Sequence, residues 1–150
     1  MLVLSGIDEV EGAVGKSLGP SEWLEITQER VNLFADATDD HQWIHVDAER
    51  AAQGPFGATI AHGFLTLSLI PYLGSALMRI DGVAMKINYG LNKVRFPSPV
   101  TVGSRVRATG EVLEVQRNPK GASIIVQYTI EIDGESKPAC VAETVTLIVP

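Results

Sequence analysis

The segment from His62 to Ile80 restricts the fold more than any other part of the chain. Phe64, Leu65, Leu67, Leu69, Ile70, Tyr72, Leu73, Leu77 and Met78 cover it nearly all round, so a helix here has no solvent face of its own. Thr66, Ser68, Pro71, Gly74 and Ser75 interrupt the apolar run. That pattern argues against a membrane span and predicts a helix that other structure must enclose. The second half of the chain supplies the enclosure. Strand patterns run from Lys86 to Phe96 and from Val100 to Val115, with Val102, Val106, Ala108 and Val112 on one face and Arg105, Arg107 and Glu111 on the other. Asn118-Pro-Lys-Gly121 marks a turn, after which Ile124, Val126, Tyr128, Ile130 and Ile132 alternate cleanly. A last strand, Ala139–Val149, is expected to repeat the pattern with Val141, Val145 and Leu147. Helices first and long antiparallel strands later is an α+β layout. The expected architecture is a hot-dog fold, a long buried helix wrapped by a curved antiparallel sheet.

Upstream, Glu22–Ile26 reads as a short strand and Thr27 as a helix cap, with Val31, Phe34 and Ala35 at helical spacing as far as Thr38. A second short helix is expected from Asp47 to about Gln53-Gly-Pro55. With 150 residues there is room for one domain, residues 1–150, and no linker or repeat divides it. A net charge of −6 disfavours a general affinity for nucleic acid or anionic membrane. The single cysteine, Cys140, cannot pair internally, and acids follow the short apolar start at once, so a cytoplasmic protein is expected.

Gly12-Ala-Val-Gly-Lys-Ser17 imitates a phosphate loop, but the pattern needs glycine at position 10, where Val10 stands. The cluster that follows the first helix is more informative. All three histidines fall between positions 41 and 62, beside Asp36, Asp39, Asp40 and Asp47. Asp40 and His45, five residues apart in what reads as a loop, can converge on one water. A carboxylate and an imidazole with a pKa near 6.5 suit proton transfer near neutral pH. The same residues have a plainer use as caps and turn formers. His41 and His45 with an Asp could also make a metal triad, although the helix that would align i and i+4 is expected to have ended. Ala61-His62-Gly63-Phe64 opens the buried helix, where free backbone N–H groups could hold an oxyanion, or where glycine simply packs closely. From Lys86 to Gly110 there is no acid, yet Lys86, Lys93, Arg95, Arg105 and Arg107 all occur there. Such a strip is either a landing place for a phosphorylated ligand or the solvated face of a sheet.

Two stretches, Phe34-Ala-Asp-Ala-Thr-Asp-Asp40-His-Gln-Trp-Ile-His45-Val-Asp47 and Ile60-Ala-His-Gly63-Phe-Leu-Thr-Leu-Ser68, resemble the MaoC-like dehydratases. That family includes the (R)-specific enoyl-CoA hydratases, and the similarity is nearest to its nodulation-protein-N-like branch. Asn88-Tyr-Gly90 and Val94-Arg-Phe-Pro-Ser-Pro-Val100 fit it too. The resemblance implies a hot-dog oligomer, at least a homodimer, acting on enoyl or 3-hydroxyacyl thioesters without metal or cofactor; coenzyme A belongs to the substrate. It implies a catalytic Asp40 and His45, a Gly63 amide holding the thioester oxygen, and a supporting Ser68. In the mechanism expected from it, Asp40 takes a proton from water and His45 delivers one to the α-carbon. Gln42 stands where the family has Asn, two residues after the Asp, and its longer amide is expected to orient the water. Trp43 replaces the family's proline and is expected near the acyl tunnel. Lys93, Arg95 and Arg105 are the expected contacts to coenzyme A phosphates. The alternatives are a hot-dog thioesterase, which cleaves the thioester and leaves the double bond, and a non-catalytic thioester-binding subunit.

Overall fold

The computed structural model describes residues 1–150. In chain order the elements are β1 (Leu2–Ser5), α1 (Gly6–Glu11), β2 (Ser17–Leu18), β3 (Leu24–Glu25), α2 (Gln28–Thr38), α3 (Trp43–Val46) and α4 (Ala48–Ala52). They continue with α5 (Gly63–Ser68), α6 (Ile70–Ser75), β4 (Met78–Asp81), β5 (Met85–Arg95), β6 (Arg105–Asn118), β7 (Gly121–Ile132) and β8 (Cys140–Val149). The main sheet is antiparallel in the order β2-β6-β7-β8-β5, with β3 also paired to β6. This is the expected α+β hot-dog arrangement, with α5 and α6 lying against β6, β7 and β8.

The alternation read in β7 sets the core. Ala122, Ile124, Val126, Tyr128, Ile130 and Ile132 are all buried, facing the helices with Val106, Ala108 and Val112 of β6. The β6–β7 hairpin closes over Pro119 and Lys120, and Gly121 has φ +142°. A Cβ at Gly121 would collide with the Ile148 carbonyl, so only glycine fits. In β8 the expected phase is inverted. Cys140, Ala142 and Ile148 are the buried residues, because Cys140 lies opposite Ile130 and Ala142 opposite Tyr128, and directly paired residues share a face. Cys140 and Ala142 are the small side chains paired with Ile130 and Tyr128, while Val141, Val145 and Leu147 take the outer side.

The enclosed helix is shorter than the apolar run. It pauses at Leu69, because Pro71 has no N–H to give the Leu67 carbonyl, and it ends at Ser75. Met78–Asp81 then forms β4, a parallel partner for β1, with Met78 and Ile80 buried and Arg79 exposed. Nor is the helix wrapped all round: Phe64 is 68% and Tyr72 63% exposed. Strand β6 also starts later than expected, at Arg105. Residues 100–102 instead clamp the loop before α5, through Ala61 N–H to the Val100 carbonyl and Val102 N–H to the Thr59 carbonyl. No helix is long and apolar enough to cross a membrane.

Candidate active site

Thr27 caps α2 as expected, its hydroxyl accepting from Arg30 N–H, and the helix stops at Asp39, which adopts the left-handed conformation at φ 58°. That reversal brings Asp40 to the start of a tight segment, with its carboxylate half exposed and accepting from Gln42 N–H. His45 does not sit in a loop. It belongs to the single turn α3 and is only 6% exposed. Its Nδ1 lies 2.7 Å from the Ile60 carbonyl, an atom that can only accept, so Nδ1 carries the hydrogen and Nε2 keeps a free lone pair. Burial lowers the His45 pKa, against the opposing pull of the Ile60 hydrogen bond. The ring is therefore neutral at pH 7.

Gln28 of α2 locks this arrangement, and the sequence gives no hint of it. Its amide N–H groups reach the His45 carbonyl (2.7 Å) and Asn32 Oδ1 (2.9 Å), while its Oε1 accepts from the Thr59 hydroxyl (2.6 Å). Ile60 N–H in turn bonds the Ile44 carbonyl. The turn bearing His45 and the loop that receives its ring are thus tied to one side chain. Trp43 packs locally: Arg50 lies 4.3 Å over its ring and Gly54 is so close that a Cβ would come within 3.1 Å of it.

His62, 3% exposed, completes the cluster. Its ring stacks on His45 with centroids 3.8 Å apart and planes 23° apart, and its Nε2 donates to the Asp40 carbonyl at 2.9 Å. Gly63 follows directly as the first residue of α5, where its N–H has no intrahelical acceptor. The available sequence signal was the position of His62 at that helix start, inside the histidine-rich span.

His41 turns outward to Asp36 at 2.8 Å, so it forms no triad with His45. Donor atoms of Asp40, His45 and His62 do lie within 4.8 Å of one another. A metal must sit near the plane of each imidazole at roughly 2.1 Å. Two nearly parallel rings stacked at 3.8 Å do not aim their nitrogens at one common in-plane point. The Gln42 side chain makes no hydrogen bond within the chain; the residue contributes its N–H to Asp40 and its carbonyl to His45 N–H. Ser68 is spent on its own helix, donating to the Phe64 carbonyl at 2.6 Å, and it lines a cavity of about 610 Å³ between α5–α6 and the sheet, beside Gly74, Asn88 and Tyr128. The basic strip is divided. Strands β5 and β6 are three strand spacings apart, about 14 Å. Arg105 pairs with Asp133, and Arg107 pairs with Glu131 under Trp23. Lys93 and Arg95 on β5 stay exposed and form no ion pair.

A neutral imidazole lone pair and a carboxylate lie together on a hot-dog scaffold, in a chain whose helix α5 begins with a free amide, and these are groups of the kind that move a proton and hold an oxyanion. Residues 9–133 match the family described as MaoC like domain, and the chain belongs to that family. It is 56% identical over 146 residues to the 3-hydroxyacyl-thioester dehydratase Z of Mycobacterium tuberculosis, covering 97% of each chain. It is 49% identical to Nodulation protein N of Rhizobium leguminosarum bv. viciae, covering 93% of this chain and 89% of that one. Among solved structures, the (R)-hydratase from A. caviae involved in PHA biosynthesis superposes with a TM-score of 0.73 at 26% identity, over 91% of this chain and 96% of that one.

Proposed function

We propose that the protein is a hydro-lyase that reversibly adds water to trans-2-enoyl thioesters, giving (3R)-3-hydroxyacyl thioesters. The observation that carries this reading is the free Nε2 lone pair of neutral His45, beside the Asp40 carboxylate and stacked on His62, the residue before the Gly63 helix start. The relatives named as a dehydratase and an (R)-hydratase support it. In hydration, His45 Nε2 takes a proton from a water held by Asp40, and the water oxygen bonds to the β-carbon. The double-bond electrons move toward the thioester oxygen, where Gly63 N–H donates to the developing charge. The His45 imidazolium then returns a proton to the α-carbon, completing the net addition of water. This moves the base role expected of Asp40 to His45 and keeps His45 as the donor to the α-carbon, because a neutral, buried imidazole readily accepts a proton. Incubating the protein with crotonyl-CoA should bleach the enoyl absorbance without releasing thiol. Thiol release with the double bond intact would mark a thioesterase, and no change in either would mark a binding subunit.

The reaction needs no metal or cofactor, so prolonged chelation should leave kcat unchanged. Activity lost on chelation and restored by one metal equivalent would overturn that statement. A cytoplasmic location fits thioester substrates and a Cys140 thiol that burial pushes up to about 11.

The active form is a homodimer or higher homo-oligomer. Strand β5 ends the sheet with Met85, Ile87, Tyr89 and Leu91 exposed, and Phe64, Tyr72 and Phe96 are exposed too, an apolar surface that invites a second copy. Sedimentation at micromolar concentration should give twice the chain mass or more; a fully active monomer would contradict this.

Lys93 and Arg95 hold the phosphates of coenzyme A. Neutralising Arg95 should raise KM about fivefold, the equivalent of ~1 kcal/mol, with kcat unchanged and a weaker salt dependence. The same change at Arg105 should leave KM alone, since Asp133 already meets its charge. A KM that moves only with Arg105 would reverse this assignment.

A further inference from the structure

We propose that His62 is the positioning residue of the site, holding Asp40 by its main chain and His45 by its ring so that both address one water. The inference rests on the hydration reading above, but its observations are independent of any substrate.

One side chain touches both partners. Its Nε2–H bonds the Asp40 carbonyl at 2.9 Å and lies 3.9 Å from Asp40 Oδ2, while its face supports the His45 ring at 3.8 Å. On its other side Phe34 packs at 4.9 Å. The titratable groups that face it are Asp40, from the segment after α2, and His45, from α3; Phe34 of α2 brings no charge.

The remaining nitrogen, Nδ1, is buried and is the chain's one buried side-chain polar atom without a partner. Because Nε2 must carry the hydrogen given to the Asp40 carbonyl, Nδ1 is a bare lone pair in the neutral ring. With its one hydrogen bond fixed on Asp40 and its face against the His45 ring, His62 serves as a fixed shelf for both. A polar residue with an unsatisfied atom is a costly choice for mere packing, and its single hydrogen bond goes to the residue that carries the carboxylate.

Two variants separate the two contacts. His62→Phe keeps a flat ring under His45 and loses the donor to Asp40; His62→Gln keeps a donor and loses the ring. Each should lower kcat for crotonyl-CoA by on the order of 10²-fold, as displacements of about 1 Å do, with KM within about twofold. Placed on His45→Gln, either change should cost almost nothing further, because His62 acts through its neighbour. In His62→Phe the acid limb of the kcat profile should move to higher pH, since His62 disfavours the charged form of His45. The His45 ring-proton NMR titration should move the same way, with no substrate present. If one variant fails to fold, judged by its thermal midpoint, the other stands for both. Wild-type kcat in a folded variant, losses additive with His45→Gln, or an unmoved NMR titration would each overturn the proposal. A wild-type protein that leaves crotonyl-CoA unchanged would sink the hydration reading alone, since the NMR titration still decides whether His62 sets the state of His45.

Discussion

Replacing Asp40 by Asn or His45 by Gln should each lower kcat for hydration by about 10²–10⁴-fold, the range over which general acid–base groups act. The double variant should fall little further than either single one, since the two address one water. The variants should differ in stability. Asp40 is half exposed and its loss should leave the thermal midpoint nearly unchanged. His45 is buried on α3 and bonded to the Ile60 carbonyl, so His45→Gln should lower the midpoint measurably while the protein still folds. The pH dependence has a definite sign. With His45 acting as the base, as proposed, and its pKa lowered, kcat/KM should rise with pH through a midpoint below the ordinary 6.5 of histidine. Because the folded protein binds this proton less readily than the unfolded chain, the same group should add stability as pH rises and remove it as pH falls toward 6.5 and below. A kcat/KM that falls between pH 6 and 7 would mean that the imidazolium starts the reaction. Near wild-type turnover in either variant would remove that residue from the chemistry.

The sequence was most legible where a pattern depends on one segment alone. The caps at Thr27 and Asp47 are local hydrogen bonds to N–H groups three residues on, and the five alternating apolar residues of β7 fix their own phase. It was least legible where a distant partner decides. The apolar run gives no sign that Met78–Ile80 leaves the helix, because that depends on Leu2–Leu4 lying alongside. The phase of β8 depends on small Cys140 and Ala142 facing Ile130 and Tyr128. Nearness in sequence was also mistaken for nearness in space: two hairpin strands separate Arg95 from Arg105. In the site, Asp40, His45 and Gly63 were read from a long motif, and the structure brings donor atoms of Asp40 and His45 together. Gln28 and His62 were missed because they bond main-chain carbonyls 17 and 22 residues away, contacts that leave no spacing to read. The one-turn helix under His45 was missed for the same reason, since Gln28 and Ile60 hold it from outside.

Gly63→Pro should lower kcat by roughly 10²–10³-fold, the usual effect of deleting one oxyanion donor. Proline is the substitution that removes this N–H, and the position accepts it unusually well. Gly63 is the first residue of α5, where proline's fixed φ suits a helix and the missing N–H breaks no helical bond. The preceding His62 already has φ −60° and ψ 135°, the conformation that a following proline requires. The cost common to any side chain is contact with Phe96, since a Cβ at Gly63 would lie 3.3 Å from that ring. Phe96 is 42% exposed and can yield. Gly63→Ala carries that contact but keeps the N–H, so it should lose far less activity than Gly63→Pro. The ratio of kcat between the two measures the loss of the amide together with the Cδ that takes the place of its hydrogen, provided their thermal midpoints agree. The loss should fall on kcat more than on KM, because charge gathers on the thioester oxygen only as the water adds. Equal kcat values for the proline and alanine variants would show that this oxygen is held by some other group.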